Sequence, residues 1–320
     1  MRAISTLFVA LSLQLSSIGT AGAYPERPVR FIVPSAPGDG PDVTSRVIAA
    51  QLSRQLGKQF VIDNRPGGNS SIGTGMIATA PPDGYTIGQG NFATLATNRS
   101  MMKLPYDPDR DLQMIGQYSF VANILAVAPA LPVKSVQELI DYARKNPGKL
   151  QFASAGNGSS MHLSGELFKR MTAIDMLHVP YKAAQQGIVD LMGGQIHVMF
   201  DNMSSIGVHV RAAKVRGLAV TSLTRSVSYP ELPTMSEAGV PQFEVVPFGG
   251  LVAPAAVPRA VIDLLNTELN KALSSPTVQE RFAVLGSVPT GGTPEQFAAV
   301  VRKEAHKWAT VIKDAHIKAD

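Results

Sequence analysis

The 320-residue chain contains no cysteine at all. That excludes a disulfide scaffold, a Cys-ligated zinc site, an iron–sulfur cluster, a thiol nucleophile and a lipoprotein anchor. Aromatic residues are few, at 6%, with a single tryptophan. Charge is sparse too: 17% of residues are charged, 29 basic against 24 acidic, for a net charge of +5. No dense basic stripe interrupts the mixture, so a nucleic-acid partner is not expected. The six histidines, at 162, 178, 197, 209, 306 and 316, form no H-E-x-x-H or other tight metal pattern. Neither a complete G-x-G-x-x-G nor a G-x-x-x-x-G-K-[S/T] occurs, which removes the fingerprints of dinucleotide and P-loop binding. The sequence therefore calls for no catalytic residue, metal or cofactor.

What is present begins with an export signal. Basic Arg2 precedes an apolar stretch over Leu7–Ile18, and Ala21-Gly22-Ala23 supplies small residues for cleavage before Tyr24. Gln14, Ser16 and Ser17 interrupt a run already shorter than the ~20 apolar residues a spanning helix needs. No later segment reaches that length without charge. The expected product is a periplasmic chain of about 300 residues, enough for two lobes rather than one.

From Tyr24 onward short apolar runs alternate with helical patterns. Strands are predicted at Val29–Val33, Phe60–Asp63, Thr86–Gly88, Ile124–Ala128, Leu150–Ala153, Met176–Val179, Ile196–Phe200 and Gly217–Val220. Helices are predicted over Asp42–Leu56 and near Ile72–Ala80. Another begins at Ser135, where Ser135-Val136-Gln137-Glu138 fits a capping box and Asn146-Pro147-Gly148 supplies the stop. The tail from Pro258 to Ala319 reads as mostly helical, broken near Ser275-Pro276 and Gly286–Thr293. This alternation predicts an α/β fold with largely parallel sheets.

The same unit, strand then small-residue loop then helix, occurs once in each half: Ser35-Ala36-Pro37-Gly38-Asp39-Gly40 and Ser154-Ala155-Gly156-Asn157-Gly158. A helix start carries unpaired N–H groups and about half a positive charge, so it holds a carboxylate without Lys or Arg. Ser35, Ser71, Ser154, Ser159 and Ser160 are candidate hydroxyl donors; the bland alternative is that both loops are ordinary βα turns. His162, opening a helix beside the second loop, either donates to a ligand or caps the loop. Asp201 either faces the same cleft or caps the next turn. Phe92, with Thr94 after it, and Phe248 are candidates for a pocket floor, with core packing as the default. A serine hydrolase built on Ser159 or Ser160 with His162 lacks a G-x-S-x-G elbow.

Tyr24-Pro25-Glu26-Arg27-Pro28, Val33-Pro34-Ser35-Ala36-Pro37-Gly38, Asp63-Asn64-Arg65-Pro66-Gly67-Gly68 and Pro82-Asp83-Gly84-Tyr85-Thr86 follow in order. After them come Leu104-Pro105-Tyr106-Asp107, the Ser154–Ser159 loop with His162-Leu163, and His178-Val179-Pro180-Tyr181-Lys182. Leu218-Ala219-Val220-Thr221, Leu232-Pro233-Thr234, Glu237-Ala238-Gly239 and Lys307-Trp308-Ala309 complete the set. Together these resemble the Bug receptors, periplasmic solute-binding proteins of tripartite tricarboxylate transporters, over essentially the whole chain after the leader.

The resemblance implies a two-lobed clamshell of the periplasmic-binding-protein type, each lobe a mostly parallel sheet flanked by helices. Residues 24–122 with 247–320 would form the first lobe and 123–246 the second. It also implies a monomer that closes on a small organic carboxylate and delivers it to integral membrane subunits; a sensory adaptor would keep the same fold. Carried over, Ala36, Pro37, Gly38, Asp42 and the loop at Asn69–Ser71 act from the first lobe. Gly156, Gly158, Ser159, Ser160, His162 and Asp201 act from the second. Two departures bear on specificity. Asp39-Gly40-Pro41 stands where the family often has further Gly and Thr, and Asp39 is expected to point outward or pair locally. Pro247-Phe248 stands where many relatives place Trp, and Phe92 with Phe248 would favour a flat or aromatic acid.

Overall fold

The computed structural model describes residues 24–314; the predicted leader, 1–23, lies outside the described residues. The first strand, β1 (Val29–Val33), carries Val29, Phe31, Ile32 and Val33 into the core. It leads into helix α1 (Gly40–Leu56), begun with Pro41 in its first turn and ended by Gly57 in the left-handed region. Then come β2 (Phe60–Asn64), α2 (Ser71–Ala78) and β3 (Thr86–Asn91), a buried π-helical turn at Ala93–Thr97, and the long strand β4 (Leu112–Val121).

The chain crosses at once into β5 (Asn123–Val127). There follow α3 (Val136–Lys145), β6 (Gln151–Ser154), α4 (Ser160–Thr172), β7 (Leu177–Pro180), α5 (Ala184–Met192), β8 (Val198–Asn202), α6 (Met203–Arg211) and β9 (Arg216–Val220). It returns through β10 (Phe248–Pro254) to α7 (Arg259–Ser274), α8 (Pro276–Val284), β11 (Ser287–Pro289) and α9 (Pro294–Asp314). The predicted caps form: Glu138 N donates to Ser135 Oγ at 3.1 Å, and Ser275 with Pro276 separates α7 from α8.

Two sheets result, in the orders β11-β4-β10-β3-β1-β2 and β7-β6-β8-β5-β9. β1 runs parallel to β2 and β3, and β6 runs parallel to β7 and β8. Most strands of each sheet thus point the same way, as expected, and a minority run against them. β10 is antiparallel to β3 and β4, and β5 is antiparallel to β8 and β9. The reason is the crossing: the strands that carry the chain between the sheets enter against the direction of the βα units.

The two crossings lie side by side. Val121 N donates to Pro247 O at 2.9 Å, Asn123 N to Thr221 Oγ1 at 2.8 Å, and Thr221 Oγ1 to Val245 O at 2.6 Å. Among the described residues no helix is long and apolar enough to cross a membrane.

Candidate ligand-binding cleft

A cavity of about 240 Å³ opens between the two sheets, next to the crossings. It is smaller than the ~300–1,000 Å³ typical of drug-sized ligands, which limits the occupant to a small molecule. From the first sheet its wall takes the β1–α1 loop (Ser35, Ala36, Asp39), the loop at Pro66–Ser70, and Gln89, Asn91 and Phe92 at the end of β3. From the second it takes Gly156, Ser159, Ser160 and Met161 at the start of α4, then Tyr181, Lys182 and Asn202. The crossings add Ser119, Val121, Pro247 and Phe248.

Each loop is held from behind. Asp42, almost fully buried, accepts Gly38 N at 2.8 Å, Asn64 Nδ2 at 2.8 Å and Arg46 Nε at 2.9 Å. Gly38 and Asp42 therefore fix the first loop rather than line the cavity. The loop on the first sheet's side at Gly67–Ser70 adopts positive φ at four successive residues, Gly67, Gly68, Asn69 and Ser70. This is unusual for Asn69 and Ser70, and reciprocal bonds hold it: Asn69 Nδ2 to Asn98 Oδ1 at 2.6 Å and Asn98 Nδ2 to Asn69 O at 2.8 Å. Thr94 exchanges bonds with Asn91, Thr94 N to Asn91 Oδ1 and Asn91 N to Thr94 Oγ1, both at 3.0 Å.

At the second loop Ser159 caps α4: its Oγ accepts His162 N at 3.3 Å and donates to Gly156 O at 2.7 Å. Ser154 Oγ lies 2.6 Å from His178 Nε2 and accepts Gly156 N at 3.1 Å. The first-turn amides of α4 have no intrahelical partner, and Ser160 and Met161 of that turn line the cavity.

The structure thus brings Ser35, Ala36, Asn69, Phe92, Gly156, Ser159, Ser160 and Phe248 to one cavity wall. Asp42, Ser71, Thr94, Ser154, Gly158, His162 and Asp201 are buried outside that wall, and Pro37, exposed, and Gly38 do not line it either. His162 takes the capping alternative. Its Nδ1 accepts Gly158 N at 3.0 Å, and burial, with the stacked His178 ring 4.1 Å away, pushes its pKa down to about 3. The ring is a neutral acceptor and has no proton to give a ligand from that nitrogen. Asp201 is fully buried, accepting Asn202 N at 2.7 Å and Ser205 Oγ; the next residue, Asn202, lines the cavity in its place. Burial raises the Asp201 carboxyl to about 7.

Of the two alternatives for Asp39, the outward one fails. It does not point outward: it is 5% exposed and forms part of the cavity wall. Its loop passes close to β8: a Cβ at Gly40 would lie 2.6 Å from Asn202 Oδ1. Gln89, Asn91, Ser119, Tyr181, Lys182 and Asn202 were not anticipated. All but Ser119 lie one to three residues after a predicted strand, and that position was the signal available; Ser119 lies in β4, for which no strand was predicted.

The two halves touch. Gln185 Nε2 donates to Gly38 O at 2.7 Å, and Thr97 Oγ1 donates to Gly158 O at 2.8 Å. Gly158, at φ +82°, has Met101 Sδ 2.9 Å from the position a Cβ would take. Phe92 and Phe248 present only part of themselves to the cavity. Phe92 packs edge-on to Trp308 at 5.2 Å and Phe248 edge-on to Phe297 at 5.8 Å. Among the described residues no cluster of three or more His, Asp or Glu is placed to hold a metal.

Comparison with known proteins decides the family. Residues 44–317 match the model of the tripartite tricarboxylate transporter family receptors. The chain belongs to that family. This receptor is 35% identical to BugT of Bordetella pertussis over 318 residues, covering 99% of this chain and 97% of BugT. It superposes on Rpa4515 of R. palustris with adipate at a TM-score of 0.90, with 37% identity over 92% of this chain and 99% of that one. It superposes on MatC of Rhodopseudomonas palustris with bound malate at 0.86, with 29% identity over 90% and 100% of the two chains. The family is one of solute-binding receptors.

Proposed function

We propose that the chain is an extracytoplasmic receptor. It is exported, cleaved after Ala23, and works in the periplasm as a monomer that captures a small organic carboxylate and hands it to the integral membrane subunits of a tripartite transporter. The observation that carries this reading is the convergence of two opposed loops, Ser35–Asp39 and Gly156–Met161, on one small cavity. Backbone amides at a helix start satisfy a carboxylate at little reorganisation cost. Drawing those amides from both sides makes closure depend on the ligand, because only the closed form offers both sets.

The moving bodies in this reading are residues 24–122 with 247–320 and residues 123–246, hinged at the adjacent crossings. Relatives that hold adipate and malate support a small acid as the guest. Phe92, Val121, Pro247 and Phe248 give one wall an apolar face and favour an acid with a flat or aromatic body. Transport or sensing would use the same capture step. Hydrolysis by Ser159 or Ser160 is disfavoured because the His162 nitrogen that would take a proton already accepts Gly158 N.

A thermal-shift screen of mono-, di- and tricarboxylates, followed by calorimetric titration, tests the reading. Stoichiometric binding of one class without turnover is expected. Benzoate and phthalate failing while citrate, malate or glutamate bind would overturn the aromatic preference. Ester or amide turnover lost in Ser160→Ala would overturn the receptor reading.

A further inference from the structure

Asp39 is the one acidic side chain in the cavity wall; the one basic side chain there, Lys182, is exposed. Asp39 is nearly buried, and its Oδ1 has no hydrogen-bond partner. The amides of Gln185, Ala36 and Ala184 lie near enough to offset part of the cost of burying the carboxylate, yet they leave that oxygen unsatisfied. Asp201 stands behind the wall and Asp42 beside the loop, and both repel the Asp39 charge. Asp42 is paired with Arg46; no cation is paired with Asp39 or Asp201 among the described residues.

A buried carboxylate with one oxygen unpaired is costly, and a second carboxylate brought beside it costs more. A donor on the ligand removes the first cost, and does so only in the closed form. We propose that Asp39 is a specificity-determining residue: it reads a hydrogen-bond donor, a protonated amine or a hydroxyl, on the ligand beyond the captured carboxylate, and rejects a second carboxylate at that place. The expected ligand class is a monocarboxylate carrying an amine or hydroxyl, in contrast to the dicarboxylates held by the two R. palustris relatives. The inference rests on the receptor reading and narrows it.

Matched ligand sets test it by calorimetric titration of the wild-type protein and of Asp39→Asn and Asp39→Gly. One set is adipate, 6-aminohexanoate and 6-hydroxyhexanoate. A shorter one is succinate, β-alanine and 3-hydroxypropanoate. An aromatic one is terephthalate, 4-aminomethylbenzoate and 4-hydroxybenzoate. In the set that fits, the wild type should bind the amine or hydroxyl member at least about tenfold more tightly than the diacid, the worth of one hydrogen bond to a charged group. Both variants should narrow that ratio to within about threefold. Preference for the amine over the hydroxyl member assigns an ion pair, and equal binding of the two assigns a neutral donor. A wild type that prefers the diacid, or a ratio unchanged in both variants, overturns the inference while leaving the receptor reading intact. Failure of every acid, here and in the wider screen, overturns the receptor reading and this inference with it.

Discussion

Gly40→Ala isolates closure from folding. The substitution adds one methyl at the start of α1, where Ala is favoured over Gly by up to about 1 kcal/mol. The added carbon would lie 2.6 Å from Asn202 Oδ1 and 2.8 Å from both Asn202 Cβ and Ser204 Oγ. Carbon contacts settle near 3.5–4.0 Å, so the two surfaces must part by roughly 1 Å. A hydrogen bond of ordinary length stretched by that amount leaves the bonding range. The direct casualties are Gln185 to Gly38 and Thr97 to Gly158, together with whatever the ligand shares between the two loops. Losing one charge-assisted bond, at about 1.5–3 kcal/mol, weakens binding about 10- to 100-fold. Calorimetric titration with the best acid from the screen reads the loss, and the ligand-free melting temperature, read beside it, separates lost affinity from lost stability. Gly57→Ala is the control. Gly57 has φ +66° and no atom within 4 Å of an added Cβ, so it should cost stability and leave affinity alone. Wild-type affinity in Gly40→Ala would refute the argument.

The remaining predictions concern one group in the wall, Ser159, and two behind it, Asp201 and His162. Ser159→Ala removes the α4 cap and should cost about 1 kcal/mol of stability, lowering the melting temperature by a few degrees; an unchanged melting point would count against the cap. The Asp201 carboxyl, raised from 3.8 to about 7, holds its proton more tightly in the folded chain than in the unfolded one. Its contribution is therefore most favourable in acid and is lost as pH rises from about 4 through about 7. Asp201→Asn should gain about 2–4 kcal/mol on wild type at pH 8 and much less at pH 5, read from denaturant midpoints; an equal difference at both pH values would contradict this. His162, held neutral with its pKa near 3, should show no ring titration by NMR between pH 5 and 8, and a midpoint near 6.5 would place it outside its present environment.

The sequence made the βα framework readable where apolar runs alternate with capped helices. The strand at Val29–Val33, the Ser135 cap and the Ser275-Pro276 break all stand as their residues imply. β4 was not readable: Gln113, Gly116, Gln117 and Ser119 break its apolar run, yet the strand is buried centrally between β10 and β11. Of these, Ser119 faces the cleft, while Gly116 packs against Asn266 and Leu269 of α7. The mixed strand directions were equally hidden, since periodicity carries no direction.

Among the site residues, position after a strand identified the two loops. What it could not give was the side each residue faces. His162 and Asp201 are drawn inward by partners four residues away, Gly158 and Ser205 respectively. Asp39 sits in the cleft wall where its loop meets β8, a close approach between segments far apart in sequence.

The most direct measurement is a crystal structure of the complex with the tightest-binding acid. The account predicts one ligand carboxylate within about 3.2 Å of backbone nitrogens from both the Ser35–Asp39 loop and the first turn of α4. A ligand held by one lobe alone, or seated outside this cavity, would contradict it.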